Sequence, residues 1–170
     1  MKSTRRVLLV STLLSSMLVA TPLGLSPSEA ATTTSTFTVQ MTITASCSIL
    51  SAATLNFGSQ GVLTANVDQS SIVQVQCTNT TPYNIGLDAG TGSGATVATR
   101  KLTNGANTIN YSLYQDAGRA TVWGNTVSTN TVGATGNGAS QSYSVYGRVP
   151  AQTTPAAAVY SDTITVTVTY

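Results

Sequence analysis

Histidine is absent from all 170 residues, and the whole chain carries only seven Lys or Arg and five Asp or Glu. Without an imidazole, general acid–base work falls to isolated carboxylates or a lysine, and no two acids are close in sequence. Serine and threonine abound, but lacking a base they are weak nucleophiles and ordinary strand and loop residues. Gly90-Thr91-Gly92-Ser93-Gly94 lacks the Lys-Ser/Thr ending and the following helix of a phosphate loop. The expectation is a protein that is not an enzyme, with no catalytic residues, no cofactor and no metal site.

Long apolar runs are also missing, apart from one at the start. Lys2, Arg5 and Arg6 precede an apolar stretch over residues 7–20, which Pro22, Gly24 and Pro27 then break. Ser28-Glu29-Ala30 supplies the small residues that a signal peptidase reads. The run is short of the roughly 18–20 apolar residues of a membrane span. Residues 1–30 therefore read as a cleaved signal peptide, and the protein as exported without stable membrane insertion.

Three of the seven basic residues and one of the five acids lie in that leader. Arg100, Lys101, Arg119 and Arg148 are left against Asp68, Asp88, Asp116 and Asp162, a formally neutral mature chain. Four cations without a cluster make a poor phosphate-backbone binder, so nucleic acid is excluded as a partner.

What is present is period-two alternation. Residues 72–75, 110–114, 143–146 and 163–170 alternate, and Phe57-Gly58, Thr81-Pro82, Asn104-Gly105 and Pro150 punctuate them. Many short strands and no helical period predict one all-β domain, a sandwich or a barrel, with the sandwich favoured. Asn104-Gly105 predicts a two-residue hairpin turn. The low-complexity stretches 88–99 and 130–142 are expected to be long surface loops.

Cys47 and Cys77 are the only cysteines, and an even pair in an exported chain predicts a disulfide. Both sit in alternating segments, so the bridge is expected to tie the first core strand to a later one. Its loop of about 30 residues stabilises by roughly 3–4 kcal/mol on the chain-entropy picture.

Both ends of the mature chain carry an apolar-faced strand pattern. Phe37, Val39, Met41 and Ile43 share one face near the start; Ile164, Val166, Val168 and Tyr170 share one at the end. The two strands could pair within one closed sandwich, or the first could leave its domain and complete a neighbour's by strand addition.

Several motifs occur in order: Leu55-Asn56-Phe57-Gly58, Val73-Gln74-Val75-Gln76-Cys77, Tyr111-Ser112-Leu113-Tyr114, Val122-Trp123-Gly124, Tyr146-Gly147-Arg148-Val149-Pro150 and Tyr160-Ser161-Asp162-Thr163. Together they resemble the spore coat protein U domain family, which includes pilins of the archaic chaperone–usher pathway. The resemblance implies an incomplete immunoglobulin-like β-sandwich over residues 47–170, completed by a donor strand from a neighbouring subunit. Residues 31–46 then form the donor segment, with Phe37, Val39, Met41 and Ile43 as its inserting side chains. Cys47 and Cys77 match the family's disulfide. Ile164, Val166, Val168 and Tyr170 match the strand that borders the groove and meets the chaperone.

The implied partners are identical or related pilin subunits, a periplasmic chaperone and an outer-membrane usher. The implied location is the periplasm in transit and then a cell-surface pilus of a Gram-negative bacterium, serving adhesion and biofilm formation. A spore or cell coat component and a pilus tip adhesin are the alternative readings.

Overall fold

The computed structural model describes residues 28–170. The expected leader lies outside the described residues except for Ser28, Glu29 and Ala30. The chain divides after Gln40, and Met41–Tyr170 forms one compact unit. Residues 28–46 belong to no strand.

Eight strands follow: β1 (Cys47–Ala52), β2 (Val67–Cys77), β3 (Pro82–Leu87), β4 (Arg100–Asn104), β5 (Asn107–Tyr114), β6 (Val132–Thr135), β7 (Ser140–Val149) and β8 (Val166–Thr169). They make a five-stranded sheet ordered β1-β2-β7-β5-β4 and a three-stranded sheet ordered β6-β3-β8. Every strand pair is antiparallel. The expected all-β sandwich is what forms, immunoglobulin-like and incomplete along one seam.

Alternation decides which side chains enter the core. Val73, Val75 and Cys77 of β2 are buried, while Gln74 and Gln76 between them face outward. Tyr111 and Leu113 of β5 and Val145 and Val149 of β7 extend that inner face. Tyr83, Ile85 and Leu87 of β3 cover it from the smaller sheet, none more than 1% exposed. Trp123 is buried beside them, and its indole N–H donates to the Ile85 carbonyl at 2.8 Å. That bond removes the cost of burying the ring's one polar atom.

Arg100 is fully buried at the start of β4. Its Nε donates to the Asp88 carbonyl, Nη1 to that of Val97, and Nη2 to those of Leu87 and Trp123, at 2.7–3.1 Å. A buried guanidinium is tolerable only when its donors are matched in this way. The side chain pins the 88–99 loop, expected as irregular surface chain, against the end of β3.

The disulfide joins Cys47 to Cys77, direct register partners on β1 and β2 with Cα atoms 4.1 Å apart. The β4–β5 hairpin also forms, but its central residues are Gly105 and Ala106, with Asn104 and Asn107 closing the ladder. Gly105 alone has positive φ, at 57°, which is the demand of a turn with glycine first.

Residues 130–142 are not one loop. They contain β6, whose Val132 and Ala134 pack on the core, and the start of β7. Gly136 makes the tight return possible, since a Cβ there would meet Cys77 Cβ at 2.8 Å.

Candidate strand-acceptor groove

The two sheets leave one seam unlaced. β1 ends the larger sheet and β8 ends the smaller, and no ladder joins them. A cleft of about 850 Å³ lies between the chain that follows β1 and the chain that leads into β8. Residues 54–61 form one wall and residues 154–162 the other. Val67, Leu102, Ile109 and Val149 form its apolar floor with Leu63.

Each wall is fixed by its local sequence. Beyond β1, Asn56 Oδ1 accepts a bond from Gly58 N at 2.8 Å, and Gly58 takes φ 74°, so the chain turns. Leu55 and Phe57 pack against Gly147 of β7, where a Cβ would approach them to 2.8 and 2.9 Å. Phe57 also meets Tyr111 edge-on, with ring centres 6.1 Å apart.

The opposite wall is held by polar groups. Ser161 and Thr103 exchange backbone bonds of 2.8 and 3.2 Å, attaching the wall to β4. Asp162 Oδ2 accepts from the Tyr111 hydroxyl at 2.7 Å, and Oδ1 accepts from Thr91 N and Oγ1 at 2.8 and 2.9 Å. Burial first, and then the Asp162 carboxylate, push the Tyr111 phenol upward, so it stays a neutral donor. Asp88 Oδ1 accepts from Thr165 N and from Gly90 N, both at 3.0 Å. The final strand thus starts on the five-stranded sheet and crosses to the three-stranded one. The ladder expected over residues 163–170 is confined to Val166–Thr169 for that reason.

Ile164, Val166 and Val168 are half-buried against the core, and the threonines between them are exposed. Tyr170 is 62% exposed, beside a shallower cleft of about 410 Å³ that Ile43, Thr78 and Pro82 also line. Phe37, Val39, Met41 and Ile43 are 87, 83, 85 and 71% exposed, four large apolar side chains facing water in alternation. The chain carries them into β1 through a fixed point, because Ser46 N donates to Thr78 Oγ1 and Thr78 N to the Ser46 carbonyl.

The groove floor was not assigned from sequence. Leu102 and Ile109 belong to short polar strands where the apolar signal is weak. Leu55 and Phe57 stand out in the sequence only as part of an ordered motif and, for Phe57, of a turn signal. Among the described residues no cluster of three or more His, Cys, Asp or Glu could hold a metal. No described helix is long and apolar enough to cross a membrane.

An all-β sandwich with one unfilled apolar seam defines a class, and comparison with known proteins narrows it. A profile of the Spore Coat Protein U domain matches residues 33–167. Protein U of Myxococcus xanthus is 35% identical over 166 residues, covering 89% of this chain and 92% of that protein. This chain belongs to the Spore Coat Protein U domain family.

In fold it is similar to a chain of the CsuC–CsuE chaperone–tip adhesion subunit pre-assembly complex. That complex comes from the archaic chaperone–usher Csu pili of Acinetobacter baumannii. The TM-score is 0.56 with 24% identity over 76% of this chain, which spans 40% of the length of that neighbour. The family match begins at residue 33, so it takes in the exposed 37–43 segment as well as the sandwich.

Proposed function

We propose that this chain is a structural subunit of a surface pilus built by donor-strand complementation through a chaperone–usher pathway. One observation carries the proposal: a single chain has both an unfilled apolar groove and an exposed segment of matching period. Residues 31–46 of one copy enter the groove of the next, placing Phe37, Val39, Met41 and Ile43 over the floor. Backbone bonds to the free edges of β1 and β8 set the register.

The energetics favour a durable joint. Four such side chains removed from water contribute roughly 6–12 kcal/mol gross, at about 1.5–3 each, before ordering costs. Left free, the segment is an exposed apolar strand and an association hazard, which calls for a periplasmic chaperone to occupy the groove until an usher exchanges it. The structural likeness to a chaperone–subunit complex supports that partner. Export to the cell surface, adhesion and biofilm formation follow from the same reading.

A coat component is the second reading, favoured by the family's description and by the likeness to Protein U. It assembles without an usher. Electron microscopy of cells co-expressing subunit, chaperone and usher separates the two. Fibres are expected with the intact chain and none after deletion of residues 32–44, although the deleted subunit still binds chaperone. Normal fibres from the deleted chain would contradict the donor assignment, and assembly without the usher would favour the coat.

A further inference from the structure

The outer face of the five-stranded sheet points away from the core and takes no part in the groove. Its rungs follow from the register: Ser48–Gln76–Ser140, Ser51–Gln74–Ser142, Ile72–Ser144 and Ser70–Tyr146–Tyr114. No Asp, Glu, Lys or Arg lies on these four rungs. Ser51 Oγ donates to Gln74 Oε1 at 3.0 Å, and Gln74 Nε2 reaches Ser142 Oγ at 3.4 Å, so hydroxyls and amides form an ordered array. Ile72, 46% exposed, adds an apolar step beside Ser144.

Two tyrosines stand out on this face. Tyr83 and Tyr143 bond each other, Tyr111 donates to Asp162, and Tyr160 donates to the Ala156 carbonyl. Tyr114 and Tyr146 are direct cross-strand partners on β5 and β7, and neither hydroxyl bonds a described residue. They offer ring surface and uncommitted phenol groups side by side, the combination that binds ligands having both apolar faces and hydroxyls.

The charges on this face lie at its margin, beginning with the Asp68–Arg148–Ser112 rung beside the tyrosines. Arg148 holds Asp68 through two bonds of 2.7 Å, and Arg119 lies 3.3 Å from the same carboxylate while donating to the Gly147 and Ala117 carbonyls. Lys101 donates to the Ser93 carbonyl, and Arg100 is buried. The four rungs themselves carry no formal charge with which to hold an acidic polymer.

We infer that the outer face, centred on Tyr114 and Tyr146, is a binding surface for a neutral polysaccharide. Sugar rings stack on the tyrosines, and their hydroxyls exchange bonds with the Ser/Gln rungs. A single site is weak, as befits a flat surface. If copies are joined as proposed above, the face repeats along the fibre, and the combined avidity exceeds that of one site.

Affinity electrophoresis of the purified full chain reads the outer face whether or not the groove is filled, so a negative result leaves the fibre proposal standing. Native gels contain hydroxyethyl cellulose or dextran as neutral probes and alginate as the acidic one. Retardation is expected in at least one neutral gel and is insensitive to salt. The Y114A/Y146A chain should lose roughly tenfold in apparent affinity. Y114F/Y146F, which keeps the rings and the fold, should retain part of it, and Q74A should weaken it on an unaltered core. Retardation only by alginate, none by either neutral probe, or equal retardation of parent, Y114A/Y146A and Q74A would overturn the inference. So would self-association without glycan that Y114A/Y146A abolishes, since a second copy would then be the occupant.

Discussion

Two segments of this chain have the same period-two pattern and opposite surroundings. In residues 164–169 the apolar side chains lie half-buried while the threonines face solvent, and Val166–Thr169 ladders with β3. In residues 37–43 the alternation is as regular, yet all four apolar side chains are at least 71% exposed and no ladder forms. Period two states what a strand can bury; it does not state whose sheet it joins. The difference rests on backbone partners and on a floor to cover.

The largest test acts where the two regions part. Cys47 opens β1, and its bridge to Cys77 closes a separation of 30 residues. Replacing both cysteines with serine should cost roughly 3–4 kcal/mol, read as a lower unfolding midpoint and a lower yield of exported subunit. An unchanged midpoint would make the bridge incidental to holding the segment's root.

Next in size is a matched pair of substitutions. Val166→Asp places a carboxylate against the core and should destabilise the single subunit by roughly 2–3 kcal/mol. Met41→Asp should leave the subunit within about 0.5 kcal/mol of the parent but weaken fibre joints, so that fibres fall apart on heating in SDS. Equal losses in subunit stability would erase the comparison, and Met41→Asp fibres as resistant as the parent's would show the register to be wrong.

The smallest effect is electrostatic. Burial pushes the Asp88 carboxyl up, but bonds from Thr165 and Gly90 and the Arg100 charge outweigh it, leaving the pKa below the ordinary 3.8. A carboxyl lowered on folding adds stability that is complete above the unfolded value and lost as pH falls through the folded one. The C-terminal wall should therefore loosen only below about pH 4, whereas residues 37–43, with no titratable group, should show no such step. Unfolding followed from about pH 7 to pH 2 should lose part of its acid limb in Asp88→Asn.

The sandwich class, the disulfide, the β4–β5 hairpin and most strands were legible because alternation, cysteine parity and Asn-Gly chemistry are local signals. The register of that turn was missed by one residue, since Gly105 rather than Asn104 takes the positive φ. β6 was hidden because Val132, Gly133, Ala134 and Thr135 are small, and a weak pattern became a strand only through pairing with β3. Beside the groove, the inward alternation of Ile164, Val166 and Val168 was legible, although none of them lines its cleft. Its floor was not, because Leu63, Val67, Leu102, Ile109 and Val149 meet only through tertiary structure. Arg100 gave no sign either; one arginine in a polar stretch does not announce four buried carbonyl partners.

Hydrogen exchange across residues 37–43, compared between the chaperone-held subunit and the assembled fibre, addresses the central claim most directly. The account predicts immediate exchange in the held subunit and protection in the fibre matching that of Val166–Thr169. Amides over residues 37–43 that exchange as fast in the fibre as in the held subunit would contradict it.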